Sequence, residues 1–210
     1  MDYWDRSWAN FGVCDFKKYI NMNQEYIFLD YFKTFEVQTI CDVGCGFGKY
    51  SAISSFNNFD VYGIDISDYA INLTERMLKS LGLEYKQFKV CKMSEILYRD
   101  NFFDGIIAHA VIDHIKLEEA KKSILEISRI TKPGGIVYIS FDGLSDEDIE
   151  CEHEILEDGS MVYITGDREG MIFHYYNDSE IEQLLNKYEI LYFGKNSRGD
   201  REIVYKNSNI

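Results

Sequence analysis

The chain has 210 residues, 46% of them apolar, and a formal net charge of −14. That length supports a sizeable core, while so acidic a surface repels phosphate backbones, so nucleic acid is not an expected substrate. No apolar run is long enough to cross a bilayer and "MDYWDRSWANF" lacks the form of a signal peptide; with Met1 read as the natural start, a cytoplasmic protein without membrane attachment is expected.

Helix and strand patterns then alternate along the chain. Residues 16–35, "FKKYINMNQEYIFLDYFKTF", carry apolar side chains at helical spacing. "VQTICDV" (37–43) reads as a buried strand ending at a run of glycines, and "KYSAISSF" (49–56) as the helix after it. The turn pair Asn57–Asn58 precedes a second apolar strand, "DVYGIDI" (60–66). Ser67 or Asp68 can cap the next helix, whose Ala70, Leu73, Met77 and Leu81 share one face. "YKQFKV" (85–90) and "FFDGIIAHA" (102–110) are the third and fourth strands. Leu117, Ala120, Ile124 and Ile127 mark a further amphipathic helix. Pro133 and Gly134 then predict a type II turn in "KPGG", because proline fixes φ and glycine accepts a positive one. "IVYISF" (136–141) is the fifth strand.

The last third changes character. Asp158–Gly159 lies between two strand-like runs and predicts an inserted hairpin over about residues 150–176. Asn177 with Glu180 three residues on is a capping box for another helix. "EILYFG" (189–194) and "REIVYK" (201–206) close the chain as strands. Repeated strand–helix–strand units imply right-handed crossovers and a parallel sheet with helices on both faces. The five cysteines, Cys14, Cys41, Cys45, Cys91 and Cys151, have no metal-ligand spacing; reduced thiols and no metal site are expected.

The glycines raise the question of a ligand. In "ICDVGCGFGKY" (40–50), Gly48-Lys49 is followed by Tyr50, so the hydroxyl a P-loop needs for Mg²⁺ is missing. A dinucleotide loop wants its third glycine five residues after the first; Lys49 stands there, and the glycine is Gly48. The tighter spacing leaves a flatter loop with less of a pyrophosphate cradle.

This stretch resembles the first motif of the class I S-adenosylmethionine-dependent methyltransferases, an acid, one residue, then Gly-x-Gly-x-Gly. The other landmarks fall in family order: "VYGIDIS", with Asp65 21 residues after Gly44; "VCKMSEILYRDNFFDGIIAHAVIDHI"; and "TKPGGIVYIS". The resemblance covers about residues 37–141. It implies an α/β fold in one domain over residues 1–210: a Rossmann-like, seven-stranded, mostly parallel sheet with an antiparallel last strand, an N-terminal cap over about residues 1–35, and the hairpin insert.

It also implies S-adenosylmethionine as cofactor, a ligand with a ribose and a sulfonium but no phosphate. Asp65 would accept the ribose hydroxyls and Ile66 would lie on the adenine. Asp42 would sit near the ligand's ammonium, and Gly44 and Gly46 would let the backbone approach the methionine portion. Cys45 is counted with this loop, although packing is its plainer role. Met93 matches a position whose backbone meets the adenine ring. Lys92 departs from the family, since an acid there commonly meets the adenine amino group. His109 would contact the cofactor through its backbone or serve in proton chemistry. His174, in the insert, is the other catalytic candidate, and His114 is read as structural. The cap, with Tyr3, Trp4, Trp8, Phe11 and Phe16, and the insert, with Asp167, Arg168, His174, Tyr175 and Tyr176, are expected to choose the substrate. The expected activity is methyl transfer to a small-molecule acceptor by in-line displacement. A non-catalytic S-adenosylmethionine-binding protein is the alternative, and a nicotinamide-dependent oxidoreductase a more distant one.

Overall fold

The computed structural model describes residues 3–196 and 198–208; Met1 lies outside them. Three short helices open the chain: α1 (Tyr3–Ala9), α2 (Val13–Phe16) and α3 (Ile27–Thr34). The alternating part follows as β1 (Thr39–Val43), α4 (Lys49–Phe56), β2 (Asp60–Asp65), α5 (Asp68–Leu81), β3 (Gln87–Val90), β4 (Phe103–Ala108), α6 (Leu117–Ile130) and β5 (Thr131–Phe141). Then come α7 (Asp146–Glu150), β6 (His153–Ile155), β7 (Met161–Tyr163), β8 (Ile172–Phe173), α8 (Asp178–Leu184), β9 (Glu189–Lys195) and β10 (Arg201–Lys206).

The main sheet has seven strands in the order β3-β2-β1-β4-β5-β10-β9. All run parallel except β10, which is antiparallel to both β5 and β9. The expected architecture, with its antiparallel last strand, is the one observed. Successive strands step outward from β1 to β3, and the chain then returns to place β4 on the other side of β1. That reversal opens a crevice at the carboxyl ends of β1 and β4, where open α/β sheets bind ligands.

Central strands are apolar throughout because both faces are covered. Ile106, Val137 and Ile139 pack with Ile124, Ile127 and Ile181 from α6 and α8. Their neighbours Ile107, Ile136 and Tyr138 face the other way, onto Phe28, Phe32 and Ile53 from α3 and α4. Ser67 caps α5 by accepting from the Ala70 N–H, and Gly82 ends it at φ +68°. Asn177 and Glu180 form the expected capping box.

Three local readings need correction. Residues 16–35 are not one helix: the Asn21 side chain accepts the Asn23 N–H, an alternative to helical bonding, and the helix restarts only at Ile27. Gly134 does take a positive φ of 79°, but β5 begins before the turn, at Thr131. The insert is a three-stranded sheet, β6-β7-β8, because the second run is broken by the turn over Gly166–Arg168 and pairs back on itself. A further short helix, α7, is opened by a capping box of Ser145 and Asp148.

Candidate active site

The glycine loop leaves β1 under tight local control. Gly44 and Cys45 both donate to the carbonyl of Ile64 at the end of β2, 2.8 and 3.0 Å away. Gly46 donates to Asp65 Oδ2 at 2.9 Å, and Gly48 to the Cys45 carbonyl at 2.8 Å. The three glycines are required for different reasons. At Gly44, φ is +71° and a Cβ would stand 2.3 Å from Val111 Cγ2. Gly46 lies against the Trp8 ring, and a Cβ on Gly48 would strike Thr74 at 2.9 Å. Gly48 thus serves the packing of α4 on α5.

A cavity of about 250 Å³ lies beyond these strand ends. Its walls are Gly44, Gly46, Asp65 and Ile66 from the ends of β1 and β2, Cys91, Lys92 and Met93 after β3, Ala110, Val111, His114 and Ile115 after β4, and Glu119 on α6. Tyr3, Trp4 and Trp8 of α1 and Gly170 and Ile172 of the insert complete it. Asp65 is pinned, with Oδ1 accepting from the Ser67 N–H at 2.9 Å while Oδ2 holds Gly46. Ala110 sits at φ +48°, rare for a residue with a side chain, and its N–H donates to Ser140 Oγ at 3.0 Å.

The sequence candidates divide around this cavity. Gly44, Gly46, Asp65, Ile66 and Met93 line it together. Asp42 does not: its carboxylate is buried behind the loop and accepts from Ser51 Oγ at 2.6 Å. Burial pushes that carboxyl up to about 7, Ser51 opposes the shift, and the charge of Asp65 adds to it. Cys45 is also buried, with Thr74 Oγ1 donating to its sulfur at 3.6 Å, which is a packing role.

Neither histidine proposed for proton chemistry reaches the cavity wall. The His109 ring lies 4.3 Å from the Tyr50 ring, and Nδ1 is 2.6 Å from Ser140 Oγ. Burial, with Lys49 and Arg198 adding to it, lowers its pKa to about 3. A neutral His109 accepting from Ser140 holds the hydroxyl that receives the Ala110 N–H, so it braces the loop after β4. His174 is buried with Nδ1 3.0 Å from Ser160 Oγ. The histidine on the wall is His114, through its ring, beside Trp4 at 5.2 Å between ring centres. Glu119 is a charged wall residue that no sequence motif marks. It stands among the ordinary acids of a first helical turn, and no spacing signal marks it.

A second cavity of about 510 Å³ shares Tyr3, Trp4 and His114 with the first. Its other walls include Asp142 and Ser145 after β5, Asp148 on α7, Arg168, Met171 and Phe173 of the insert, and Arg198 and Asp200 between β9 and β10. Arg168 is paired with Asp148 at 2.5 Å and Glu147 at 3.0 Å, and Arg198 with Asp200 at 2.8 Å.

The first cavity suits a ligand without phosphate. A phosphate cradle offers loop N–H groups to an anion, and here those of Gly44, Cys45, Gly46 and Gly48 are all engaged within the protein. The cavity presents instead the carboxylates of Asp65 and Glu119, which suit hydroxyl, amino and cationic groups.

Comparison with known proteins agrees with this geometry. The family described as the methyltransferase domain matches residues 41–139. The chain is 35% identical over 120 residues to 24-methylenesterol C-methyltransferase 2 of Arabidopsis thaliana, covering 56% of this chain and 32% of that protein. It is 34% identical over 110 residues to the tRNA (carboxymethyluridine(34)-5-O)-methyltransferase of the same plant, covering 52% and 25%. The chain thus spans between a quarter and a third of the length of these relatives. Among solved structures, an S-adenosylmethionine-dependent methyltransferase from Methanosarcina mazei superposes with a TM-score of 0.71 at 25% identity, covering 87% of this chain and 98% of that one. The family match starts in β1 and stops in β5, so it spans the strands that build the first cavity and leaves out α1 and the insert that roof it. By that shared sheet and its glycine loop, residues 41–139 are similar to the methyltransferase domain of the class I S-adenosylmethionine-dependent methyltransferases.

Proposed function

We propose that the protein transfers a methyl group from S-adenosylmethionine to a small-molecule acceptor. The observation that carries this reading is the pair of cavities meeting at Tyr3, Trp4 and His114: one built on the glycine loop and Asp65, the other roofed by the insert. When bound, S-adenosylmethionine supplies an electrophilic methyl on its sulfonium. Asp65 would accept the ribose hydroxyls, held ready by the Gly46 and Ser67 N–H groups. Ile66 and Met93 would flank the adenine. Glu119 offers the acceptor for the adenine amino group that Lys92 cannot provide. Gly44 and Gly46 keep side chains away from the methionine portion. His109 acts as a positioning residue through Ser140 and Ala110.

The acceptor would occupy the second cavity. Tyr3, Trp4 and Trp8 cover the junction and would exclude water there. The chain's main contribution to rate is then alignment of acceptor and methyl in a dry site. A small acceptor fits a cavity of about 510 Å³ walled by Asp142, Asp148 and Asp200. One relative acts on tRNA, so a nucleic-acid acceptor is the second reading; the net charge of −14 weighs against it. No helix among the described residues is long and apolar enough to cross a membrane.

The test is ligand-dependent melting. S-adenosylmethionine or S-adenosylhomocysteine raises the melting temperature and NAD does not, because a ligand of the native state stabilises it by mass action. A shift with NAD alone overturns the reading. Incubation with a metabolite pool then separates an enzyme, which consumes cofactor, from a protein that only binds it.

A further inference from the structure

We infer that Asp113, His114 and Asp142 bind one first-row divalent cation, such as Mn²⁺ or Zn²⁺, beside the second cavity, whose wall includes His114 and Asp142. Each offers a ligand atom, and the three atoms lie within 4.8 Å of one another. They come from two places that the sheet brings together, the turn after β4 and the first residue after β5.

No hydrogen bond joins the His114 and Asp142 side chains, and one of the two Asp113 oxygens has no donor among the described residues. His114 Nδ1 is 3.2 Å from the carbonyl of Ile172, which can only accept. The ring proton therefore sits on Nδ1, and Nε2 carries the lone pair, the arrangement usual for a metal-bound histidine. Nε2 is 4.0 Å from Asp142 Oδ2, beyond hydrogen-bond reach. Asp113 is fully buried; its Oδ2 accepts the Asp142 N–H at 2.8 Å, and its Oδ1 has no hydrogen-bond partner among the described residues. A buried carboxylate oxygen left without a donor is costly, and a cation removes that cost. The guanidiniums of the same cavity do not do so, since Arg168 and Arg198 are paired with Glu147, Asp148 and Asp200.

Two carboxylates and one imidazole make a mixed donor set suited to Mn²⁺ or Zn²⁺ rather than to the all-oxygen preference of Mg²⁺ or Ca²⁺. Cation–ligand distances of about 2.0–2.2 Å need ligand atoms roughly 3–4 Å apart, so the trio must close slightly on binding. Asp142, with 37% of its side chain exposed, has room to do so. Three protein ligands leave open positions, as in catalytic rather than structural sites. An acceptor oxygen or nitrogen bound there would be held against His114 and Trp4, the wall shared with the first cavity. That role rests on the methyl-transfer reading, whereas the cation site rests on its own geometry.

The experiment titrates the full chain with Mn²⁺ and follows the free ion by electron paramagnetic resonance. Wild type takes up one equivalent. Asp142→Asn and His114→Gln each bind it roughly tenfold or more weakly, and Glu118→Gln, which removes a carboxylate with 77% of its side chain exposed, changes nothing. Thermal shift by S-adenosylhomocysteine, retained in Asp142→Asn, shows that this variant is folded. Equal binding by wild type and Asp142→Asn, or an equal loss in Glu118→Gln, means diffuse attraction to an acidic surface and overturns the site. Mn²⁺ uptake as described, with no response of any variant to S-adenosylhomocysteine, keeps the cation site and removes the methyl-transfer reading.

Discussion

The two cavities share three residues and are built on opposite principles. The first rests on backbone: β1, β2 and β4 end side by side, the loop after β1 folds back onto Ile64 and Asp65, and few side chains define its floor. The second rests on side chains delivered from far apart in the chain. Arg168 of the insert meets Asp148 of α7, the Asp113 carboxylate after β4 accepts the Asp142 N–H after β5, and the insert is tied in by the backbone bond from His174 to Asp113. The family match stops at residue 139, just before the acids of the second cavity begin. A site made of strand ends can be kept while its neighbour is rebuilt, which fits one cofactor serving acceptors as unlike as the sterol and tRNA of this chain's relatives.

The sharpest way to break this contrast is at Asp65. Asp65→Ala should weaken S-adenosylhomocysteine by about 2–4 kcal/mol, from the loss of charge-assisted hydrogen bonds and of the anchor for Gly46. Arg168→Met, in the second cavity, should leave that affinity within about twofold, since neither Arg168 nor its partners Glu147 and Asp148 line the first cavity. Calorimetry on both variants decides; comparable losses would mean the cavities are one energetic unit.

Glycines give a parallel test. Gly44 and Gly166 have the same φ, +71°, but a Cβ at Gly44 meets Val111 at 2.3 Å and one at Gly166 meets nothing within 4 Å. Gly44→Ala should cost about 2–4 kcal/mol, from left-handed strain plus overpacking. Gly166→Ala should cost only the strain, about 1 kcal/mol. Urea unfolding of both variants reads the difference. Equal costs would show that the cofactor loop gives way as easily as the insert.

The same division explains what the sequence could reveal. Gly44, Gly46 and Asp65 are legible because a tight turn at a strand end leaves few residue choices, and their spacing is local. The central strands β1, β4 and β5 are legible because burial on both faces makes them largely apolar runs, whereas the edge strands β3 and β9 are more exposed. The direction of the His109 ring is not legible, because it depends on Ser140, Tyr138 and Tyr50, residues of other elements, and that of His174 depends on Ser160 in the same way. Asp42 stands in the motif yet turns inward because Ser51, one turn into α4, offers it a donor. The break between α2 and α3 had a local signal in "NMN", an asparagine side chain competing with the helix.

A smaller effect is expected where the two regions meet. No residue of α1 is fully buried, and the helix is held by edge contacts such as Trp8 with Phe47 and Trp4 with His114. Cofactor binding beneath Trp8 should slow amide exchange in α1 by about tenfold, the scale of a local opening made harder by about 1.4 kcal/mol. β6 and β7, which lie in the insert away from the glycine loop, should respond less. Equal protection of both would mean that the insert closes over the cofactor as well as over the second cavity.

The smallest expected effect is in the wild-type pH profile, because two groups of the first region oppose each other there. Asp42 titrates near 3.9 when unfolded and near 7 when folded. Between those values the native state holds a proton the unfolded chain lacks, so this carboxyl makes stability fall as pH rises, and its effect is complete above about 7. His109 titrates near 6.5 when unfolded and near 3 when folded. Its contribution is present above pH 6.5 and is lost as pH falls toward 3, so it makes stability rise across almost the same window. The two slopes largely offset one another. Each should reappear when the other is removed: between pH 4 and 6.5 the melting temperature of Asp42→Asn should rise more steeply with pH than that of wild type, and that of His109→Gln should tilt the other way. Both substitutions also alter packing and so displace the whole curve, but a packing change has no pH slope of its own. Parallel curves for all three proteins would show that neither Asp42 nor His109 changes its proton count on folding in this window.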